Sequence, residues 1–153
     1  DHIDFWGVNM RLQPLQSIVA DVGLTKLNNT IAKRNRNASI LDKGLIKLTD
    51  LVKIPQRTPE NIETFALYMA TFYKRDELKK FLIINDIEVK IHYPIPLHKQ
   101  KAALSTCSFN PEKLKNVEIQ SQTLLTIPVH QFLNDNHMHF ILKKIFEFYG
   151  KKY

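Results

Sequence analysis

The sequence has one cysteine, four glycines and no long hydrophobic run. Because Cys107 has no second cysteine to pair with, a disulfide within the chain is excluded, and the reducing cytoplasm is the expected location. No apolar stretch approaches the roughly 18–20 residues that cross a bilayer, so we expect no membrane span. Glycines at positions 7, 23, 44 and 150 are too scattered to form a phosphate-binding loop or a dinucleotide fingerprint.

The sequence also lacks the usual patterns of a metal or thiol centre. The histidines at 130, 137 and 139 are close together, but two residues apart on a helix point to nearly opposite sides. No His-x-x-x-His pair and no cysteine partner accompany them. Cys107 follows Ser105 and Thr106 with no histidine at a recognisable offset. We therefore predict no metal site and no catalytic residue in this chain.

What the sequence does have is a globular composition with excess positive charge. Its 153 residues suffice for one domain with a core, and 44% of them are hydrophobic against 24% charged. The net charge is +7, with many of the cations in residues 26–53. A basic surface attracts anions such as nucleic acid, acidic lipid or a sugar nucleotide, but a solvated helix face explains the same charge.

Apolar periodicity predicts helices that alternate with short strands. The helices are expected within residues 11–47, with a break near Gly23, and over 75–82, 110–122 and 134–149. The strands are expected at 51–54, 63–73, 87–91 and 125–127. Both faces of 63–73 are apolar, which predicts a central strand covered on both sides. The fold class is therefore α+β, an α/β layer in which long helices pack on a small sheet.

Three stretches contain the residues with a candidate function. The first is Gly7-Val8-Asn9-Met10-Arg11-Leu12, which runs into the first predicted helix. Its glycine permits a sharp turn, and its asparagine is able to cap the helix or direct an amide at an anion. A turn followed by a helix cap accounts for the same residues without any ligand.

The second stretch is His92-Tyr93-Pro94-Ile95-Pro96-Leu97-His98, at the end of a predicted strand. Two imidazoles and a phenol beside rigid prolines suit an anionic or hydroxyl-rich ligand. Packing of Tyr93, with both histidines in solvent, is the alternative. The third stretch is Leu124-Leu125-Thr126-Ile127-Pro128-Val129-His130, in which Pro128 ends a strand before the last helix.

In this order and spacing, the three stretches resemble the C-terminal third of a pyridoxal-phosphate sugar aminotransferase of the DegT/StrS type. The resemblance covers nearly the whole chain. Departures from the family pattern occur at Pro14, Asp21 and Leu41. The implied fold is the C-terminal small domain of a fold-type I enzyme, with a small, mostly antiparallel sheet. Residues 1–10 would then be the tail of a preceding cofactor domain, and 11–153 the small domain.

The resemblance also implies roles for individual residues. Asn9 matches an asparagine that reaches across a dimer interface to the cofactor phosphate of the other subunit. Arg11 matches the arginine of the same motif and is expected to bind substrate. His92, Tyr93 and His98 match a turn beside the sugar-nucleotide pocket, which makes them candidates for substrate binding.

The implied parent protein is a homodimeric enzyme that uses pyridoxal phosphate. It would transfer an amino group from an amino acid, with glutamate as the expected donor, to a keto-sugar nucleotide. The Schiff-base lysine and the acid opposite the pyridine nitrogen belong to the larger N-terminal domain of the family. This chain alone is therefore expected to be inactive.

Two other interpretations remain open from the sequence. A stand-alone nucleic-acid-binding module is suggested by the basic residues 26–53 and the aromatic strand 65–73. No glycine lies between residues 45 and 149, which excludes the RNA-recognition signature, and we do not expect nucleic acid as a partner. A non-catalytic dimerisation or scaffold relative is suggested by the departures from the family pattern.

Overall fold

The computed structural model describes residues 2, 4, 7 and 12–153 of the chain. The helices are α1 (Pro14–Thr25), α2 (Leu27–Leu45), α3 (Arg75–Ile84), α4 (Lys101–Thr106), α5 (Lys115–Thr123) and α6 (Asp135–Phe148). The strands are β1 (Val52–Lys53), β2 (Tyr68–Phe72) and β3 (Leu124–Ile127). Short 3-10 turns occupy Ile46–Leu48, Leu97–Lys99 and Pro111–Leu114. No helix in this part of the chain combines the length and apolar character that a membrane crossing requires.

The three strands form one antiparallel sheet in the order β1-β2-β3. Four residue pairs join β2 to β3, from Tyr68 opposite Ile127 to Thr71 opposite Leu124. The prediction of an α+β fold with a small antiparallel sheet and long helices is confirmed. The prediction that β2 is central is confirmed as well.

The predicted strand 63–73 is only partly correct. The observed strand begins at Tyr68, because the backbone at Phe65 adopts a positive φ of 46° that an extended strand does not allow. Tyr68, Ala70 and Phe72 are buried on one face, whereas Met69 on the other face is only half-buried. The prediction that both faces are covered is therefore wrong for these residues.

Residues 87–91 do not form the predicted strand. Ile87 and Val89 alternate into the core as a strand would, but a single antiparallel bridge joins Lys90 to Thr126 of β3. The turn after this bridge leads into the prolines at 94 and 96, which have no backbone N–H to extend a ladder. The segment therefore lies against the outer side of β3 without becoming a fourth strand.

The core lies between the sheet and the helices α2, α3 and α6. The helix α6 buries one apolar stripe, with Met138, Ile141, Leu142 and Ile145 inside the core. Asn134 caps this helix, because its side chain accepts a hydrogen bond from the backbone N–H of His137 at 3.1 Å.

The helical region 11–47 breaks near Gly23, as predicted, and divides at Lys26 into α1 and α2. The first of these helices departs from expectation in its burial. None of the residues of α1 is buried, and Leu15 and Val19 are 77% and 71% exposed. The apolar spacing that predicts a buried stripe is therefore present, but none of the described residues covers it.

Candidate functional site

A cavity of about 570 Å³ lies between the turn that follows residue 91 and the helix α5. We call it the Tyr93 pocket. Its walls are His2, His92, Tyr93, Ile95, Pro96, Leu97, Gln100, Val117, Gln120, Ser121 and Leu124. The pocket therefore combines the predicted motif with residues that are about 25 positions further along the chain.

His92 and Tyr93, two of the predicted substrate residues, line this pocket together. The Nδ1 atom of His92 lies 2.8 Å from the Thr126 hydroxyl of β3, which fixes the orientation of the imidazole. The rings of His92 and Tyr93 meet edge to face, with centroids 5.4 Å apart. Tyr93 is 67% exposed, so its ring is accessible to a ligand.

His98, the third predicted substrate residue of this turn, does not line the pocket. Its Nε2 lies 3.1 Å from a carboxylate oxygen of Glu118 on α5, and its ring packs against the edge of Phe109. Lys99 contacts the same carboxylate oxygen at 3.1 Å. The structure thus places His98 in a hydrogen bond that joins the turn to α5, and its contact with substrate stays a prediction.

We expect Glu118→Gln to loosen the turn in a pH-dependent way. Hydrogen bonds from His98 and Lys99 hold the pKa of Glu118 below its ordinary value. Between the lowered pKa of Glu118 in the folded state and its ordinary value, the folded state therefore binds fewer protons than the unfolded state. The stabilisation by Glu118 is lost as pH falls through the lowered pKa. Thermal unfolding should show the variant less stable than wild type at pH 7, with the difference vanishing in acid.

Glu60→Gln is the matched control for this experiment, because Glu60 is exposed and makes no ion pair with the described residues. It should follow the wild-type melting temperature across the whole pH range. If the melting temperature of Glu118→Gln stays below that of wild type by the same amount at a pH where carboxyl groups are protonated, the ion pair is not the cause.

Arg75 supports the wall of the pocket from behind. It opens α3, it is only 7% exposed, and its Nη1 donates to the carbonyl oxygens of Ser121 at 3.1 Å and Leu124 at 2.8 Å. These two acceptors lie where α5 passes into β3, and both residues line the Tyr93 pocket. The guanidinium therefore fixes the end of α5 against the start of α3.

Two predicted site residues, Asn9 and Arg11, lie outside the residues that the structure describes. Their proposed contacts with cofactor and substrate stay predictions. The boundary between residues 10 and 11 is likewise untested.

The late histidines serve separate purposes. His137 accepts a hydrogen bond from the backbone N–H of Asn134 at the start of α6, and His139 is hydrogen-bonded to the Tyr153 hydroxyl. Across residues 12–153, and at 2, 4 and 7, no three His, Cys, Asp or Glu side chains are grouped to hold a metal ion.

Three of the four aromatic residues of the segment 65–73 lie in the core. Phe65, Tyr68 and Phe72 are each at most 8% exposed, and they belong to the hydrophobic core, whereas Tyr73 is 59% exposed. Single-stranded nucleic acids bind through exposed aromatic rings in a basic groove. Packing therefore accounts for most of the aromatic residues that suggested a nucleic-acid-binding module.

The fold therefore combines a small antiparallel sheet with backing helices, and one of its open pockets is lined by the predicted His92–Tyr93 turn. Residues 2–146 match the DegT/DnrJ/EryC1/StrS aminotransferase family. The chain therefore belongs to this family, as its three motifs predict.

Individual relatives agree with this assignment. The chain is 30% identical over 98 residues to dTDP-3-amino-3,6-dideoxy-alpha-D-galactopyranose transaminase of Aneurinibacillus thermoaerophilus. The aligned region is 64% of this chain and 26% of that protein. It is 28% identical to the pleiotropic regulatory protein of Geobacillus stearothermophilus, over 94% of the chain and 38% of that protein. A crystal structure of a DegT DnrJ EryC1 StrS aminotransferase from Brucella abortus superposes with a TM-score of 0.83 and 31% identity, over 95% of this chain and 38% of that one. The chain thus spans less than two fifths of the length of these relatives.

Aminotransferases of this family depend on pyridoxal phosphate. Among the described residues that line the Tyr93 pocket, none is a lysine that would bind the aldehyde or a cation that would receive the phosphate, so this part of the lining does not fit that cofactor.

Proposed function

We propose that this chain is the C-terminal domain of an aminotransferase that transfers an amino group from an amino acid to a keto-sugar carried on a nucleotide. The observation that carries the proposal is the family match over residues 2–146, combined with coverage of only 38% of the Brucella abortus aminotransferase. Glutamate is the amino donor that we propose. The expected compartment is the cytoplasm.

The proposal divides the work between two parts of the protein. A preceding cofactor domain, with residues 1–10 as its tail, holds pyridoxal phosphate through a lysine outside this chain. Bound there, pyridoxal phosphate would supply an electron sink for the transfer of the amino group. The present chain, from residue 11 onward, binds and orients the sugar nucleotide.

Individual residues have specific tasks in this proposal. Asn9 donates its amide to the cofactor phosphate of a partner subunit, which makes a homodimer the active form. Arg11, His92 and Tyr93 contact the sugar nucleotide. His98 belongs to the same turn, and its hydrogen bond with Glu118 keeps that turn against α5.

The exposed first helix supports a larger assembly. α1 begins five residues after Asn9 and presents Leu15, Ile18 and Val22, each more than half exposed. Apolar residues in a row along an uncovered helix indicate a surface that another part of a protein covers. A cofactor domain, or a second subunit that it brings into contact, supplies such a surface.

The test compares the isolated chain with the same chain joined to a cofactor domain of the family. With pyridoxal phosphate, the isolated chain should show no borohydride-trapped cofactor on any lysine and no transamination. The joined protein should aminate a keto-sugar nucleotide at the expense of glutamate, and Asn9→Ala should weaken its retention of the cofactor. Asn28→Ala is the control, since it removes the same amide from α2.

Covalent trapping of pyridoxal phosphate on a lysine of the isolated chain would contradict the proposed division of work. A joined protein that binds the cofactor but never transaminates would favour the non-catalytic dimerisation or scaffold interpretation.

A further inference from the structure

Another cavity, of about 970 Å³, lies beside the end of α6 and shares no lining residue with the Tyr93 pocket. Three separate segments form its walls: the turn after α2, the start of α3 and the end of α6 with the residues that follow it. Four lysines line it, and we call it the lysine pocket after Lys47, Lys74, Lys151 and Lys152. A concave wall that collects charge of one sign focuses the electrostatic field on the space inside it.

The charged groups of the lysine pocket are not paired with each other. Two acids, Asp50 and Glu77, line the same cavity, so the lining carries two more cations than acids. The four lysines and the two acids are exposed, and none of them forms an ion pair with a described residue. The excess of positive charge is therefore available to a ligand.

The backbone after α6 places two of these lysines in the wall. Gly150 adopts a positive φ of 63°, and its N–H donates to the Glu147 carbonyl at 3.0 Å. The N–H of Lys151 donates to the Phe146 carbonyl at 2.9 Å. This pair of hydrogen bonds is the Schellman motif, in which a glycine in the left-handed region ends a helix. The motif turns the chain, so that Lys151 and Lys152 lie against the cavity.

Aromatic rings hold the other two lysines. The Nζ of Lys74 lies 5.8 Å from the centroid of the Tyr73 ring. The Nζ of Lys47 lies 5.9 Å from the centroid of the Tyr153 ring. Lys74 also has a φ of 52°, in the left-handed region that few residues other than glycine adopt. An aromatic face positions an ammonium group without neutralising its charge, so both cations remain able to bind an anion.

We propose that the lysine pocket binds a ligand with two linked phosphate groups. A diphosphate carries several negatively charged oxygens along its length, so lysines from more than one segment are able to contact it together. A lysine binds a phosphate as a point charge, and the four ammonium groups outnumber the carboxylates of Asp50 and Glu77. Inorganic diphosphate and the diphosphate group of a nucleotide share this chemistry. The inference is independent of the proposed function, which assigns no task to the lysine pocket.

Nuclear magnetic resonance titration of the ¹⁵N-labelled chain with inorganic diphosphate, at constant ionic strength, tests the site. The backbone amides of Lys74, Gly150 and Lys151 should shift in a saturable way. Sulfate should bind about fivefold more weakly or less, because it is too short to contact as many lysines, and one exposed ion pair accounts for about that factor.

Substitutions of single charges test which groups bind the ligand. Lys74→Met and Lys151→Met should each weaken diphosphate binding by about fivefold. Glu77→Gln should strengthen it by a similar factor, because the change removes a like charge from the lining. Lys143→Met is the matched control, since it removes an exposed cation of α6 that lies outside the pocket, and it should keep the wild-type affinity.

Adenosine diphosphate distinguishes the two sources of the ligand. Affinity equal to that of inorganic diphosphate assigns the site to the phosphate groups alone, whereas tighter binding with a shift of the Tyr73 amide adds a base stacked on its exposed ring. Both results support the site. The proposal is overturned if diphosphate shifts none of the pocket amides, if sulfate binds as tightly, or if Lys143→Met weakens binding as much as Lys74→Met. Tighter binding of a tetraglutamate peptide than of diphosphate would also overturn it, in favour of an acidic protein segment.

Discussion

Arg75→Met should lower the free energy of unfolding by about 2–3 kcal/mol, as expected when hydrogen bonds from a charged donor to partly buried acceptors are lost. Methionine keeps an unbranched stem of similar length but removes the guanidinium donor from the carbonyl oxygens of Ser121 and Leu124. The ion pair with Asp76 contributes little to the loss, since that carboxylate is 71% exposed. Denaturant unfolding followed by circular dichroism measures the difference.

Lys80→Met is the control for Arg75→Met, because it removes a cation from an exposed position of the same helix. It should change stability by less than about 0.5 kcal/mol. Arg75→Lys should lie between the two, since an ammonium lacks the planar fork that reaches two carbonyls and a carboxylate together. Equal stability of Arg75→Met and Lys80→Met would contradict the anchoring role of the guanidinium.

Gly44→Ala should destabilise the protein even though alanine favours helices. A Cβ atom at Gly44 would lie 2.5 Å from Cδ2 and 2.6 Å from Cδ1 of Leu142, a fully buried side chain on α6. Overpacking costs typically about 1–3 kcal/mol, which exceeds the gain of about 1 kcal/mol in helix propensity. The same change at Gly23 of α1 meets no atom within 4 Å and should not destabilise.

A double-mutant cycle tests whether Leu142 causes this effect. Leu142→Ala alone should cost about 2–5 kcal/mol through lost burial and the cavity that it leaves. The double variant should cost less than the sum of the two single changes, by about 1 kcal/mol or more, because the new methyl group enters the vacated space. Additive single effects would show that Gly44 and Leu142 do not limit the approach of α2 to α6.

The sequence predicted those parts of the fold that local periodicity determines. The helices expected over 75–82 and 134–149 follow from spacing and residue type, and both are confirmed as α3 and α6. The late start of β2, at Tyr68, was not predictable. The backbone of Phe65 leaves the extended conformation, and the guanidinium of Arg57 lies over the Phe65 ring, 4.9 Å from its centroid. No local sequence pattern predicts that these two side chains are in contact.

The candidate site was predictable to a similar degree. The motif around Tyr93 is visible in the sequence, but the opposite wall on α5 carries no signal, since Val117 and Gln120 are ordinary helix residues. The hydrogen bond of His98 with Glu118 depends on the same distant packing. Sequence reasoning therefore identified one wall of the pocket and missed the other.

The uncovered helix α1 affects how stability is distributed along the chain. An isolated helix of about 12–15 residues is only marginally stable in water, and α1 has 12 residues with no buried side chain to hold it. Its backbone amides should therefore exchange with solvent far faster than those of α2 and α6, whose side chains enter the core. If a neighbouring surface docks against α1, the exchange of these amides should slow, and the slowed residues would identify the part of the helix that is covered.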